Sequence, residues 1–158
     1  MEKTFELKTF KLEMFGVDCK YRLCETDDDG TTTENEYHVK VSRPIHPDLE
    51  ALFTRELTNI VCDVFDNTEF SAQRELGRSL ITPTGVTFAG KNDNIGISIL
   101  GIIETKFGRV TFKTPRIKYK TSESNAAVKM TVWADKIVNE AYAYLFENKT
   151  AEMEVFGE

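Results

Sequence analysis

The stretch Tyr37-His38-Val39-Lys40-Val41-Ser42-Arg43-Pro44-Ile45-His46-Pro47-Asp48-Leu49-Glu50-Ala51-Leu52-Phe53 changes its period in mid-course. Up to Val41, apolar residues alternate with polar ones, as on a strand with one buried face. Pro44 and Pro47 end that pattern. Leu49, Leu52, Phe53, Leu57, Ile60, Val61, Val64 and Phe65 then recur at helical spacing, with Glu50, Arg55, Glu56, Thr58, Asn59 and Asp63 on the other side. The spacing predicts a helix from Asp48 to Phe65, and Pro47 suits its first turn because the missing N–H costs little there.

The same period-two pattern extends upstream. Leu12 and Met14 alternate with charged neighbours, and Val17, Cys19, Tyr21 and Leu23 do so beyond them. The loop at Asp27-Asp28-Asp29-Gly30 supplies hairpin residues between this strand and the next. Downstream, residues 66–80 read as a polar connection, with a short helical turn at Ala72–Leu76. Strand patterns return from Ile81 to Gly90 and at Ile95, Ile97 and Ile99, reaching Ile102 after a bulge placed at Gly101. Val110 and Phe112 alternate, and so do Ile117 and Tyr119 after Pro115. Met130, Trp133, Ile137, Ala141, Tyr144 and Leu145 mark the buried stripe of a second helix from Asn125 to Glu147.

The element order is β-β-β-α twice, and the third strands end alike, Ser42-Arg43-Pro44-Ile45 against Thr114-Pro115-Arg116-Ile117. The fold class expected is α+β, an antiparallel sheet with two helices packed on one face. It is expected as one domain over 1–158, with pseudo-repeats 1–70 and 78–158. Each half would leave a half-covered sheet and a one-sided helix, so the halves should share one core.

With 158 residues, 41% of them hydrophobic, the chain can bury a core. No apolar run approaches the ~18–20 residues of a membrane span. Met1–Phe5 does not lead into an apolar stretch and cleavage site, so no secretory signal is expected. Three cysteines, Cys19, Cys24 and Cys62, form an odd count without metal spacing, which suits a reducing compartment. The expected location is the cytoplasm of a host cell, or a virion.

Catalytic signals are sparse. His38 and His46 are the only histidines, neither stands in a nucleophile–base pattern, and both are expected to be solvated. Glu25-x-Asp27-x-Asp29-Gly30 followed by Glu36 fits the spacing of a calcium loop, but strands flank it and an exposed hairpin tip explains the same composition. No G-x-x-x-x-G-K-[ST] or G-x-G-x-x-G occurs. No enzyme activity, cofactor or metal is expected.

Charge is the better lead. The net charge is −6, yet Lys106, Arg109, Lys113, Arg116, Lys118 and Lys120 face a single acid, Glu104, between residues 104 and 120. Arg109, Thr111 and Lys113 share one strand face, and Arg116, Lys118 and Lys120 share one after Pro115. Cations on one strand face can follow a phosphate backbone, and Phe107 beside Gly108 can stack on a base. An edge strand protected by lysines against aggregation has the same appearance.

Ile81-Thr82-Pro83-Thr84-Gly85-Val86-Thr87-Phe88-Ala89-Gly90, with Glu140-Ala141-Tyr142-Ala143-Tyr144-Leu145-Phe146-Glu147-Asn148-Lys149, resembles segments of small uncharacterised proteins encoded by phages and prophages of gut Bacteroidetes. The resemblance implies a phage-encoded accessory protein or a small virion component, and carries no functional residues with it. Duplicated α+β units with a curved sheet also occur in sliding clamps and the TATA-binding protein, an analogy of architecture alone.

These readings lead to a non-enzymatic accessory protein that binds single-stranded nucleic acid, or a replication or recombination protein, through Lys106, Phe107, Arg109, Lys113, Arg116, Lys118 and Lys120. The alternative is a self-assembling virion or structural component. In it the acidic loop of one copy, at Asp27, Asp28 and Asp29, meets the basic strip of the next.

Overall fold

The computed structural model describes residues 2–64, 81–90, 95–119, 125–147 and 149. The alternating segments form β1 (Glu2–Glu13), β2 (Gly16–Thr26) and β3 (Thr32–Val41), then β4 (Ile81–Ala89), β5 (Gly96–Thr105), β6 (Gly108–Lys113) and the two-residue β7 (Ile117–Lys118). All pair antiparallel in one sheet of order β3-β2-β1-β4-β5-β6, with β7 beside β5 where β6 has ended. The helical spacing forms one rod from three successive segments: α1 (Pro47–Ala51), a π-helical stretch (Leu52–Leu57) and α2 (Thr58–Val64). A second helix, α3 (Asn125–Phe146), follows β7. The expected fold class is therefore observed. The turn expected at Ala72–Leu76 lies outside the described residues.

The topology is symmetric about the β1–β4 pair. Each of these strands carries one extra residue against its hairpin partner, Lys8 in β1 and Thr84 in β4. An extra residue reverses which parity faces the core. In β1 the core side passes from Phe5 and Leu7 to Phe10 and Leu12, and in β4 from Ile81 and Pro83 to Val86 and Phe88. The sequence separation that divides Lys8 from Thr84 also divides Phe10 from Val86. Phe10 and Val86 are themselves register partners, flanked by Thr9↔Thr87 and Lys11↔Gly85. A two-fold operation through that pair exchanges the two halves of the sheet. The bulge expected at Gly101 instead belongs to the facing strand, at Thr84.

Both helical rods lie on one face and cross over the joint. Phe53 stacks on Phe10 at 6.0 Å, and its segment lies along β4 of the other half. At the end of α3, Phe146 meets Phe5 and Tyr21 of the first half. Trp133 of α3 packs edge-on against Phe53, and its indole N–H donates to the Leu52 carbonyl at 2.9 Å. Thr58, expected on the polar side of the helix, is instead buried, and its hydroxyl is satisfied by donating to the Thr54 and Phe53 carbonyls within the π-helical stretch. Met14, placed by alternation on the buried side of β1, instead stands 87% exposed in the β1–β2 turn beside Phe15. Gly16 ends that turn because a Cβ there would lie against the Val41 carbonyl oxygen, at 1.8 Å.

Candidate nucleic-acid interface

The other face of the sheet carries no helix among the described residues. Since Val17, Cys19, Tyr21, Ile97 and Ile99 face the helices, their strand neighbours face solvent. Register then fixes what lies side by side. One row runs Lys40, Asp18, Lys11, Gly85, Leu100, Lys113 from β3 to β6, and the next runs His38, Lys20, Thr9, Thr87, Ser98.

The predicted basic residues separate into two groups. Arg109 and Lys113 stand on this open face with Thr111, opposite Glu104, Leu100 and Ile102 of β5. Lys118 follows opposite Gly96, and the Arg116 stem lies over that glycine, where a Cβ would meet its Cγ at 2.4 Å. The interruption at Pro115 thus leaves both clusters on one face. Thr114 bridges the interruption: its N–H donates to the Ile99 carbonyl and its Oγ1 accepts from the Ile99 N–H, both at 2.9 Å. Lys106 and Phe107 sit apart, at the tip of the β5–β6 turn. There the Phe107 N–H donates to Thr105 Oγ1, that hydroxyl donates to the Gly108 carbonyl, and Gly108 adopts φ +128. Phe107 is 99% exposed. Lys120 lies outside the described residues.

The first half adds cations that the sequence reading missed. Lys11 and Lys20 share the open face, and the Lys11 stem crosses over Gly85, where a Cβ would meet it at 2.9 Å. Two glycines thus let two cationic side chains, Lys11 and Arg116, lie flat on the sheet from opposite halves. The polar parity of β1 and β2 contained this signal, but only the β1–β4 pairing places it beside the basic strip.

Acids on this face are mostly held at its margins. Glu6 and Glu36 take Arg22 at 3.4 and 2.8 Å, and Lys8 takes Glu6 at 3.0 Å. Asp18 takes His38 at 2.6 Å and Lys40 at 3.9 Å, and Glu104 takes Arg109 at 3.0 Å. The Arg22 guanidinium, through its hydrogen bond first and its charge second, holds the Glu36 carboxyl below its usual range. Lys11, Lys20, Lys113, Arg116 and Lys118 have no ion-pair or hydrogen-bond partner among the described residues. Between them the floor is small or aliphatic: Thr9, Gly85, Thr87, Ser98 and Leu100. From Lys20 on β2 across to the β6 cations, the face spans roughly 19 Å at ordinary strand spacing.

The remaining candidates take structural roles. Asp27 Oδ1 accepts the N–H groups of Asp29 and Thr31, so this carboxylate closes its own loop, with Gly30 at φ +81. Glu36 is turned onto Arg22, away from that loop, and no set of three metal-ligating side chains converges among the described residues. His38 is on the exposed side as expected. His46 is not solvated: its side chain is only 12% exposed, and Nδ1 accepts the Asp48 N–H at 3.1 Å, capping α1. Burial, then the Asp18 charge, pushes the Cys19 thiol up to about 12, so it is an inert core residue. No described helix is long and apolar enough to cross a membrane.

Comparison of the chain with family models, with curated proteins and with solved structures finds no match.

Proposed function

We propose that this chain is a non-enzymatic binding protein that lays a single-stranded nucleic acid across the open face of its sheet. One observation carries the reading. On a chain of net charge −6, five cations without a protein partner among the described residues converge from both halves onto a floor of small residues. Overall charge repels a polyanion at long range, but a local cationic surface binds one at contact by releasing its counterions. Leu100 and Ile102, half-buried on the same face, offer an apolar surface to bases or sugars. Phe107 stands at the end of the path, beyond Arg109, as a stacking platform.

Head-to-tail assembly through the acidic loop has less support, because Asp27 is committed to closing the loop itself. The test is titration of single-stranded DNA at several salt concentrations. Lys11→Ala and Lys113→Ala, from opposite halves, should each weaken binding and each flatten the salt slope by roughly 0.7. Absence of measurable binding, or binding indifferent to Lys11, would reject this interface.

A further inference from the structure

The two edges of the sheet differ. β6 is six residues long, carries Arg109 and Lys113 with no acid of its own, and is interrupted at Pro115. A second β6 laid along it would bring like charges together. β3 is ten residues long, mostly exposed, free of proline and without a bulge against β2. An edge of that kind is a template for another strand.

Its backbone and its charges select the same partner. The Asp27 N–H donates to the Thr31 carbonyl at 3.0 Å, which makes this a hydrogen-bonded pair at the head of the β2–β3 ladder. Such pairs alternate with non-bonded ones. Thr33, Asn35, Tyr37 and Val39 therefore turn their backbone groups toward β2, while Glu34, Glu36, His38 and Lys40 turn theirs outward. An antiparallel strand added to this edge must set outward residues against outward residues. Acids occupy the first half of that outward set and His38 and Lys40 the second. With Tyr37 opposite itself, Glu34 meets Lys40 and Glu36 meets His38, each twice. Centring on Glu36 would put two carboxylates face to face, and centring on His38 would leave Glu34 against Ser42. Tyr37 waits at the axis, stacked on Tyr21 at 5.2 Å yet 41% exposed.

We propose that β3 pairs antiparallel with β3 of a second copy, about a two-fold axis at Tyr37, giving a symmetric dimer with one sheet continuous through both subunits. The contact is isologous. It forms about eight backbone hydrogen bonds and joins the Arg22–Glu36 and Asp18–His38 pairs of each copy into one network. It does not depend on nucleic-acid binding.

Sedimentation equilibrium of the full chain tests it. The wild type should show a monomer–dimer equilibrium. Glu34→Lys alone and Lys40→Glu alone each create two like-charge contacts and should raise the dissociation constant about tenfold. The double swap should restore it, which a merely structural role for either exposed residue would not do. In a Cys24→Ser background, Tyr37→Cys should form an intermolecular disulfide on mild oxidation, since a facing non-bonded pair brings Cβ atoms within bridging range. Glu36→Cys and His38→Cys should crosslink less. A monomer at every concentration to about 1 mM, a dimer indifferent to the swaps, or crosslinking centred elsewhere than residue 37 would overturn the proposal.

Discussion

Phe10 and Val86 face each other across the three-pair ladder that joins β1 to β4, and both are fully buried. This contact is where the two β-β-β-α halves become one sheet, with Phe53 of the first helical rod stacked on Phe10 above it. Three ladder pairs are a narrow seam, so the helices that cross it supply much of what holds the halves together. Phe10→Ala removes a large ring at this junction and should cost about 3–5 kcal/mol, read as a lower urea midpoint. Unfolding should remain one transition, and residues 1–70 or 78–158 expressed alone should not fold. A loss below about 1 kcal/mol, or two stable monomeric halves, would show that the seam is dispensable.

The same pair marks the limit of what the sequence could disclose. Element order was legible because strands and helices differ in period, and the helix stripes at Leu49–Val61 and Met130–Tyr144 lie in the core as expected. The first half of β1 was not legible, because the bulge at Lys8 moves its buried residues from Phe5 and Leu7 to Phe10 and Leu12. Alternation read across that break looks like noise. The π-helical stretch was hidden for a related reason. It preserves the apolar face, and its partners are tertiary: Trp133 donates to Leu52 from another helix. For the site, the strand face shared by Arg109, Thr111 and Lys113 followed from parity alone. That Lys11 and Lys20 stand beside it depends on which strands are neighbours, and a pairing between residues so far apart in the chain leaves no local trace.

Thr114 makes a second prediction. It is 3% exposed, and its hydroxyl oxygen accepts the Ile99 N–H where β6 has ended and Pro115 has no N–H of its own. Thr114→Val keeps the shape and removes the acceptor, leaving a buried N–H unpaired at a cost of about 1–3 kcal/mol. Thr114→Ser should retain most of the stability. The Ile99 amide should lose hydrogen-exchange protection in the valine variant alone. Equal stability of the two variants would mean that water or a shifted strand replaces the hydroxyl.

The third prediction concerns pH at the junction of the two helices. Lys149 reaches Asp48 at the start of α1 at 3.0 Å and Glu140 of α3 at 2.9 Å. The hydrogen bond from Lys149, together with its charge, outweighs the cost of burial and holds the Asp48 carboxyl below its usual range. Partial burial pulls Lys149 down, but its bonds to Glu140 and Asp48 outweigh that and leave it raised. A carboxyl depressed on folding adds stability that is complete above its ordinary pKa and is lost as pH falls through the depressed value. A raised lysine adds stability that is complete below its ordinary pKa and is lost as pH climbs through the raised one. The bridge therefore contributes across the neutral range and fails at both extremes. Asp48 is largely exposed, so its share stays below about 1 kcal/mol. In Lys149→Ala, carboxyl titration by NMR should show Asp48 moving up toward an ordinary aspartate, and the acid limb of the stability profile should become shallower, with the loss of stability seen at neutral pH and fading in acid. An unchanged Asp48 titration would mean that His46 and the start of α1, rather than Lys149, set that carboxylate.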